Sequence, residues 1–333
     1  MVRALILSVQ DFFSLNPTGG QQMSETKYRL VTRSDFDGLV CAVLLRELDI
    51  IDDIKFVHPK DMQDGKVEIN ERDITTNLPY VPGCHICFDH HSSESMRMML
   101  EQPENHIIDP DAPSAARVVY NHYGGEKRFP MVSKDMMDAV DKADSAQFTP
   151  EEILAPSGWV LLNFLMDART GLGRFKDFRI SNYQLMMDLI DHCRTKTITE
   201  ILKVPDVLER VQLYREHEEI FRQQLRKCSK VYDNVVVVDL RRQQTIYAGN
   251  RFMIYALYPK CNISIHIMWG LNKQNTVFAI GKSIITRTSN TNVGELCLMY
   301  NGGGHRAAGT CQIETEQAND TLEVIINKLN RDG

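Results

Sequence analysis

Residues 31–40 read VTRSDFDGLV, and the fold depends on what the two acidic side chains in that stretch do. Asp35 and Asp37 stand one residue apart and run into a glycine, directly after the apolar-rich segment 28–32. Like charges this close repel each other and cost stability unless a positive group lies between them. The stretch is therefore either a solvated Asp-Gly turn or one half of a metal site.

The composition limits the class of protein before any motif is considered. The chain has 333 residues, of which 43% are hydrophobic and 25% charged, and this suits a globular protein of two domains. Its formal net charge of −6 argues against a partner such as long duplex nucleic acid, although a small cleft can still carry a positive field. No apolar run approaches the roughly 20 residues that span a bilayer, so we expect no membrane partner.

The cysteines predict a reducing compartment. There are eight of them, and the single close pair, Cys84 and Cys87, has no second pair to complete a zinc site. Scattered thiols without a disulfide pattern are typical of cytoplasmic proteins, and we expect that location.

The order of apolar runs predicts an α/β fold in two parts. Four short runs read as strands that alternate with helices, the pattern of a doubly wound, mainly parallel sheet. These runs are 28–32, 54–59, 84–88 and 106–109. A long amphipathic helix at 205–230 precedes a C-terminal part rich in β runs, among which we include RFMIYALYP at 251–259.

These patterns predict a domain division. We expect an N-terminal domain with the parallel sheet, a helical linker, and a smaller C-terminal α/β domain with a mixed sheet. The predicted limits are a flexible extension at 1–22, the first domain at 23–200, the linker helix at 201–230 and the second domain at 231–333.

Acidic and imidazole groups follow two of the predicted strands. Asp35 and Asp37 follow the first strand, and Asp89, His90 and His91 follow the third. The carboxyl ends of parallel strands form the crevice in which ligands bind, so these groups should converge there. Each motif by itself is more often a turn or a polar loop, but the two together favour a site for an ion such as Mn²⁺.

A second candidate site lies in the segment YNGGGHRAAGT at 300–310. Gly302, Gly303 and Gly304 have no Cβ, so their backbone N–H groups can approach an anion closely. His305 adds a side-chain donor. A glycine-rich turn alone is a weak signal, and its position after a predicted helix makes it more specific.

The segments SDFDG, FDHHSSE and NGGGHRAAG, in this order and spacing, resemble the DHH phosphoesterase superfamily with its C-terminal DHH-associated domain. The likeness covers about residues 27–330. It implies hydrolysis of phosphorus–oxygen bonds with one or two Mn²⁺ or Mg²⁺ ions between two domains. The family includes nano-RNases, 3′-phosphoadenosine-phosphate phosphatases, cyclic-dinucleotide phosphodiesterases, RecJ-type exonucleases and exopolyphosphatases.

The resemblance also implies roles for single residues. A lone aspartate upstream of DHH should bridge two ions, and Asp73 fits that position; an aspartate on a later helix should complete the set, with Asp144 and Asp141 as rivals. The implied metal ligands are Asp35, Asp37, Asp73, Asp89, His90 and Asp144. The implied catalytic residues are Asp89, His90 and His91. The implied substrate-binding residues are Arg33, Arg287, Gly302, Gly303, Gly304 and His305.

One position departs from the family pattern. The first motif usually opens with a histidine, or in some branches an aspartate, yet Val31 and Arg33 hold the two places where that ligand falls. Neither side chain binds a cation. We therefore expect one ion to be held tightly and a second weakly, with Arg33 supplying a fixed positive charge or gripping a substrate phosphate.

The sequence thus predicts a metal-dependent phosphohydrolase for short oligonucleotides or small nucleotides. Two alternatives stay open: an exopolyphosphatase, which would use the basic run at 168–179, and a weakly catalytic nucleotide-binding regulator. A platform for a base would have to come from Phe175, Phe178 or Tyr183. The oligomeric state is open, with a homodimer among the alternatives.

Overall fold

The first half of the protein is built on a five-stranded parallel sheet. The structure is a computed structural model that describes residues 27–91, 103–175 and 177–333, and the predicted extension at 1–22 lies outside them. The strands are β1 (Tyr28–Arg33), β2 (Ile51–Val57), β3 (Asp73–Thr76), β4 (Ile86–Asp89) and β5 (His106–Ile108). They pair in parallel in the order β2-β1-β3-β4-β5. The order reverses direction between β1 and β3, which opens a crevice at the carboxyl ends of the strands.

Helices surround this sheet and continue to the middle of the chain. They are α1 (Phe36–Glu47), α2 (Pro59–Gln63), α3 (Ala115–His122), α4 (Lys134–Asp144), α5 (Pro150–Leu154), α6 (Gly158–Met166), α7 (Asn182–Thr195), α8 (Ile198–Ile201) and α9 (Pro205–Cys228). Every residue of α1 from 36 to 45 is buried, because α1 packs against β1, α3, α4 and α7. A helix that is covered on all sides is apolar all round, and between residues 36 and 45 Asp37 is the single charged residue. In the described residues, no helix is long and apolar enough to cross a bilayer.

The second half carries a smaller, mixed sheet. Its strands are β6 (Ser229–Tyr232), β7 (Val235–Asp239), β8 (Ile263–Trp269), β9 (Thr276–Lys282), β10 (Gly303–His305) and β11 (Ala308–Ile313). They run in the order β10-β11-β9-β8-β7-β6, and β7 pairs with β8 in parallel while the other pairs are antiparallel. The helices here are α10 (Met253–Leu257), α11 (Val293–Leu298) and α12 (Ala318–Asp332). The predicted fold class, a parallel doubly wound sheet followed by a smaller mixed sheet, is confirmed.

Two predictions of local structure are wrong. Strand β3 was not expected, because its four residues DITT are all buried and show no alternation. The run at 251–259 forms helix α10 instead of a strand, since its apolar residues pack into the main core on more than one side. The domain limits stay a prediction; α9 ends at Cys228 and β6 starts at the next residue, beside the expected boundary.

The turn from β1 into α1 explains the glycine of SDFDG. Asp35 caps α1 by accepting a hydrogen bond from the backbone N–H of Gly38 at 3.0 Å. A Cβ on Gly38 would lie 1.9 Å from the carbonyl oxygen of Arg33 and 2.8 Å from the hydroxyl of Thr32. Only glycine allows the helix to start this close to the strand that precedes it.

We expect Gly38→Ala to destabilise the fold, because the backbone of β1 or α1 has to shift to admit the methyl group. The free energy of unfolding should fall by about 1–3 kcal/mol. The matched control is Gly173→Ala, whose Cβ would come no closer than 3.6 Å to the side chain of Asn182. That variant should stay within about 0.5 kcal/mol of the wild type. Urea unfolding followed by circular dichroism measures both, and equal midpoints for the two variants would contradict the packing argument.

Candidate active site

The crevice of the parallel sheet gathers the acidic motifs. Asp35 follows β1, Asn77 follows β3, and Asp89 and His90 stand at the end of β4. These three strands are neighbours in the sheet, so their carboxyl ends meet at one edge. The expected convergence of the first and third motifs is therefore seen in the structure.

Asp37, His90 and Asp144 form a compact cluster in this crevice. One candidate ligand atom from each of the three residues lies within 4.8 Å of the others. The ring nitrogen Nε2 of His90 is 2.9 Å from Oδ2 of Asp144 and 4.0 Å from Oδ2 of Asp37. Asp144 comes from the last turn of α4, so the cluster joins a strand, a helix start and a helix end. Two carboxylates and one imidazole are ligands that Mn²⁺ and related divalent ions accept.

The backbone fixes the orientation of two members of the cluster. The carboxylate of Asp37 accepts hydrogen bonds from the N–H groups of Ala115 and Ala116 at 2.9 and 2.7 Å, at the start of α3. The ring nitrogen Nδ1 of His90 lies 3.2 Å from the carbonyl oxygen of Ala112, to which it donates. This contact keeps a proton on Nδ1 and leaves Nε2 facing the carboxylates, so that a lone pair points at them whenever Nε2 loses its proton, as in histidines that bind metals.

The electrostatics show that the cluster attracts positive charge. Burial, together with the charges of Asp144 and Asp35, raises the pKa of Asp37 to about 7 despite the opposing effect of His90. Burial lowers the pKa of His90, but the hydrogen bond to Asp144 and the neighbouring carboxylates outweigh it and raise that pKa to about 9. A proton is thus drawn onto His90 in the cation-free protein, and a divalent ion can take its place.

Asp89 and His91 form a second pair at the end of β4. Asp89 is fully buried, and its Oδ1 accepts from Nδ1 of His91 at 2.7 Å and from the backbone N–H of His90 at 2.8 Å. Its other oxygen, Oδ2, is buried without a hydrogen-bond partner among the residues that the structure describes. A buried carboxylate oxygen with no donor is costly, and a cation is the partner that suits it. The residues present therefore fit a divalent ion.

Arg33 lies beside the cluster and not in place of a ligand atom. Its Nε is 2.9 Å from Oδ2 of Asp35, and the side-chain amide of Asn77 donates to the same carboxylate at 3.2 and 3.4 Å. Burial raises the pKa of Asp35, and the positive charge of Arg33 opposes that shift. The carboxylate of Asp35 is therefore already partly neutralised by Arg33.

Asp73 is not brought into the cluster. It stands at the amino end of β3, opposite the crevice, and its carboxylate accepts from Nε and Nη2 of Arg29 at 2.7 and 2.9 Å. The residue at the carboxyl end of this strand is Asn77, which the sequence reasoning missed. The signal was present in the β-branched run Ile-Thr-Thr just before it, which marks a strand that ends at that asparagine. We remove Asp73 from the proposed ligands.

The structure separates the rivals Asp141 and Asp144. Asp141 accepts from Nε of Arg117 at 2.8 Å and from the hydroxyl of Ser114 at 2.7 Å, so it is occupied away from the cluster. The carboxylate of Asp144 instead contacts His90, with Oδ2 2.9 Å from Nε2 of the ring. The helix turns the two side chains to different partners.

The glycine segment forms a tight hairpin in the second half of the protein. Gly304 has a φ of +154°, and a Cβ there would lie 2.3 Å from the carbonyl oxygen of Ala308. The next residue, His305, accepts from the backbone N–H of Ala307 at 3.2 Å through Nδ1, which leaves an N–H on Nε2. Burial, followed by the charges of His91, Arg251, Arg169 and Arg33, lowers the pKa of His305. The hairpin and the metal-ligand crevice therefore share one electrostatic environment.

Arg287 connects the two halves of the protein. Its Nη2 donates to the carbonyl oxygen of Ala146 at 2.7 Å, and its Nε donates to the carbonyl oxygen of Ile284 at 2.9 Å. Two of its donors are thus used by backbone carbonyl groups, so these two are not available for the substrate contact that the resemblance implies for Arg287.

The three aromatic residues considered for a base platform have partners within the fold. The ring of Phe178 lies under the guanidinium of Arg210, Phe175 packs edge-on to His217, and Tyr183 packs edge-on to a ring of β2. These contacts account for the three aromatic side chains by packing within the fold, without a role in binding a base.

Asp144→Asn should weaken Mn²⁺ binding by about 10- to 100-fold, because an amide loses the negative charge that the cluster offers the ion. The matched control is Asp141→Asn on the same helix, which loses its ion pair with Arg117 and should keep the affinity within about threefold. Titration calorimetry with Mn²⁺, backed by elemental analysis, measures both variants. An equal loss in both, or no loss in Asp144→Asn, would remove Asp144 from the site.

No protein-family model matches the chain, and no curated protein matches it either. Among solved structures, it is similar to the pGpG-specific phosphodiesterase PggH from Vibrio cholerae, with 64% sequence identity, a TM-score of 0.82, and coverage of 92% of this chain and 100% of that one. It also resembles CDC45 from Entamoeba histolytica, with 9% identity, a TM-score of 0.53, and coverage of 91% and 95%, a likeness that shows the fold alone. The predicted family and the class of phosphoester hydrolases are confirmed. The chain belongs to the DHH phosphoesterase superfamily.

Proposed function

We propose that this protein is a divalent-metal-dependent phosphodiesterase that cleaves the linear dinucleotide pGpG into two mononucleotides. The observation that carries the chemistry is the cluster of Asp37, His90 and Asp144, which gathers two carboxylates and an oriented imidazole in the crevice. The substrate is inferred from the 64% identity, over 92% of this chain and 100% of the other, to a protein described as a pGpG-specific phosphodiesterase.

The proposed ion is held by Asp37, His90 and Asp144, with Asp35 and Asp89 beside them. Such an ion, when bound, lowers the pKa of a water molecule and screens the charge of the phosphoryl group. The chain's own residues prepare the site for it. The N–H groups at the start of α3 hold Asp37 in place, and the carbonyl oxygen of Ala112 keeps Nε2 of His90 directed at the carboxylates.

The other residues orient the substrate. His305 offers the N–H on Nε2 to a phosphate oxygen, and the glycine hairpin before it brings backbone close without side chains. His91 is held by Asp89 through Nδ1, which leaves its Nε2 for a phosphate oxygen or for a proton. These groups belong to both halves of the protein, and we infer that the dinucleotide binds between them.

The exopolyphosphatase alternative is less well supported. It needs a basic groove, and the run at 168–179 was the candidate. Arg179 lies 3.6 Å from Asp206, so the positive charge at this end of the run is partly neutralised. None of the eight cysteines, all of which lie in the described ranges, forms a disulfide, and this supports the expected reducing compartment.

A hydrolysis panel with Mn²⁺ tests the proposal. The substrates are pGpG, a five-nucleotide RNA, a cyclic dinucleotide, 3′,5′-bisphosphoadenosine and polyphosphate, and we expect pGpG to give the highest kcat/KM. Asp89→Asn should lower turnover of pGpG by at least about 100-fold, because the buried carboxylate no longer balances the cation. Asp111→Asn, an exposed aspartate on the loop that follows β5, is the control and should stay within about twofold.

Two results would overturn the assignment. Polyphosphate turned over faster than pGpG would support the exopolyphosphatase. Full activity of Asp89→Asn at saturating Mn²⁺ would show that the site described here does not perform the chemistry.

A further inference from the structure

A triad of charged residues lies outside the metal-ligand cluster and has no role in the chemistry above. Asp167, at the end of α6, is flanked by two arginines. Its Oδ1 is 2.7 Å from Nε of Arg169, and its Oδ2 is 3.2 Å from Nε of Arg251. We call these three residues the arginine triad.

The arginine triad carries unused donors. The carboxylate of Asp167 engages one Nε of each arginine, and in the described parts of the chain no hydrogen bond is made by the Nη atoms of Arg169 or Arg251. One carboxylate balances only one of the two guanidiniums, which leaves a net charge of about +1. Two adjacent guanidiniums with free Nη groups are the arrangement that binds a phosphate dianion.

The surrounding structure holds the triad rigidly. Arg251 follows Asn250, which is fully buried, donates to the carbonyl oxygen of Ile153 at 3.0 Å and accepts from the N–H of Phe252 at 2.8 Å. The guanidinium of Arg251 lies 3.9 Å from the centre of the Phe252 ring. Its side chain is 34% exposed, against 54% for Arg169, so both can reach a ligand while Arg251 is the more firmly placed.

The triad lies close to the proposed substrate site. Burial lowers the pKa of His305 most. The positive charges of His91, Arg251, Arg169 and Arg33 lower it further. Phe252, the residue after Arg251, has its ring centre 5.8 Å from that of Phe148, which lies four residues after Asp144 of the cluster. The segment of Arg169 is tied to the second half of the protein, because the N–H of Gly249 donates to the carbonyl oxygen of Thr170 at 2.9 Å.

We propose that Arg169 and Arg251, held together by Asp167, bind the 5′-terminal phosphate of the dinucleotide whose bridging phosphate is cleaved at the Asp37–His90–Asp144 cluster. This inference rests on the proposed function. A terminal phosphate carries close to two negative charges at neutral pH, whereas a bridging phosphodiester carries one, so the triad selects the end of a chain. The distance between the site for the 5′-terminal phosphate and the site of cleavage then determines how long a substrate can be.

A purely structural ion triad is the competing explanation. Partly buried guanidiniums that exceed their counter-charge cost solvation free energy, and a structural role is served better by a balanced pair. Arg241 provides such a pair elsewhere in the protein, because its Nε and Nη2 both contact Asp239, at 3.0 and 2.7 Å.

The test compares pGpG with GpG, which lacks the 5′-phosphate, on the Mn²⁺-loaded enzyme. In Arg251→Gln, kcat/KM for pGpG should fall at least about 30-fold, mainly through KM, and that for GpG by no more than about threefold. Arg169→Gln, at a position whose side chain is 54% exposed, should move the ratio in the same direction. Arg251→Lys should recover part of the preference because it restores the charge without the planar fork. Arg241→Gln is the control and should leave the ratio at the wild-type value.

A second measurement separates this proposal from the proposed function. Dinucleotides with a methylphosphonate bridge resist cleavage, and they can be made with and without the 5′-phosphate. The wild type should bind the phosphorylated form at least about tenfold more tightly, and Arg251→Gln and Arg169→Gln should abolish that difference. If the wild type hydrolyses no dinucleotide but shows this binding pattern, the proposed function fails and the phosphate site stands. An equal loss for both ligands, or no loss in either variant, overturns the phosphate site.

Discussion

The mutual repulsion of buried carboxylates is the constraint on which the rest of the structure depends. Asp35, Asp37, Asp89 and Asp144 gather at one edge of a parallel sheet, where none of them can be fully hydrated. Each carboxylate has a different favourable partner. In the same order, these are a guanidinium, the backbone N–H groups at the start of a helix, the side chain of His91 and that of His90. These partners do not balance all of the negative charge, so the four carboxylates together still attract a cation. A metal-dependent phosphoesterase needs a site of this kind.

Local sequence predicts those parts of the site whose partners are close in the chain. Asp35 and Asp37 could be placed because a strand, a cap and a glycine follow one another within a few residues. Asp89 and His90 follow the same logic at the end of β4. In both cases the direction of a parallel strand determines which edge of the sheet receives the side chains, so a short pattern is enough.

The remaining parts depend on contacts between distant segments. The role implied for Asp73 does not fit because β3 is short and buried on both faces, so no alternation reveals that this aspartate begins the strand and that Asn77 follows its end. Asp141 and Asp144 share a helix and differ in partners that come from α3 and β4, which a single-helix pattern does not contain. Arg251 meets Asp167 across 84 residues, and no local signal marks that pair.

The hydrogen bond from Arg287 to Ala146 has a mechanical consequence. Ala146 has a left-handed backbone with a φ of 52°, and it stands two residues after Asp144 at the end of α4. Any motion that moves the second half of the protein away from the first has to stretch this bond and pull on the turn that follows Asp144, a carboxylate of the proposed cation site. If the proposed function holds, opening of the cleft to exchange substrate is coupled through one arginine to the geometry of the proposed cation site, and the open protein binds the ion less tightly.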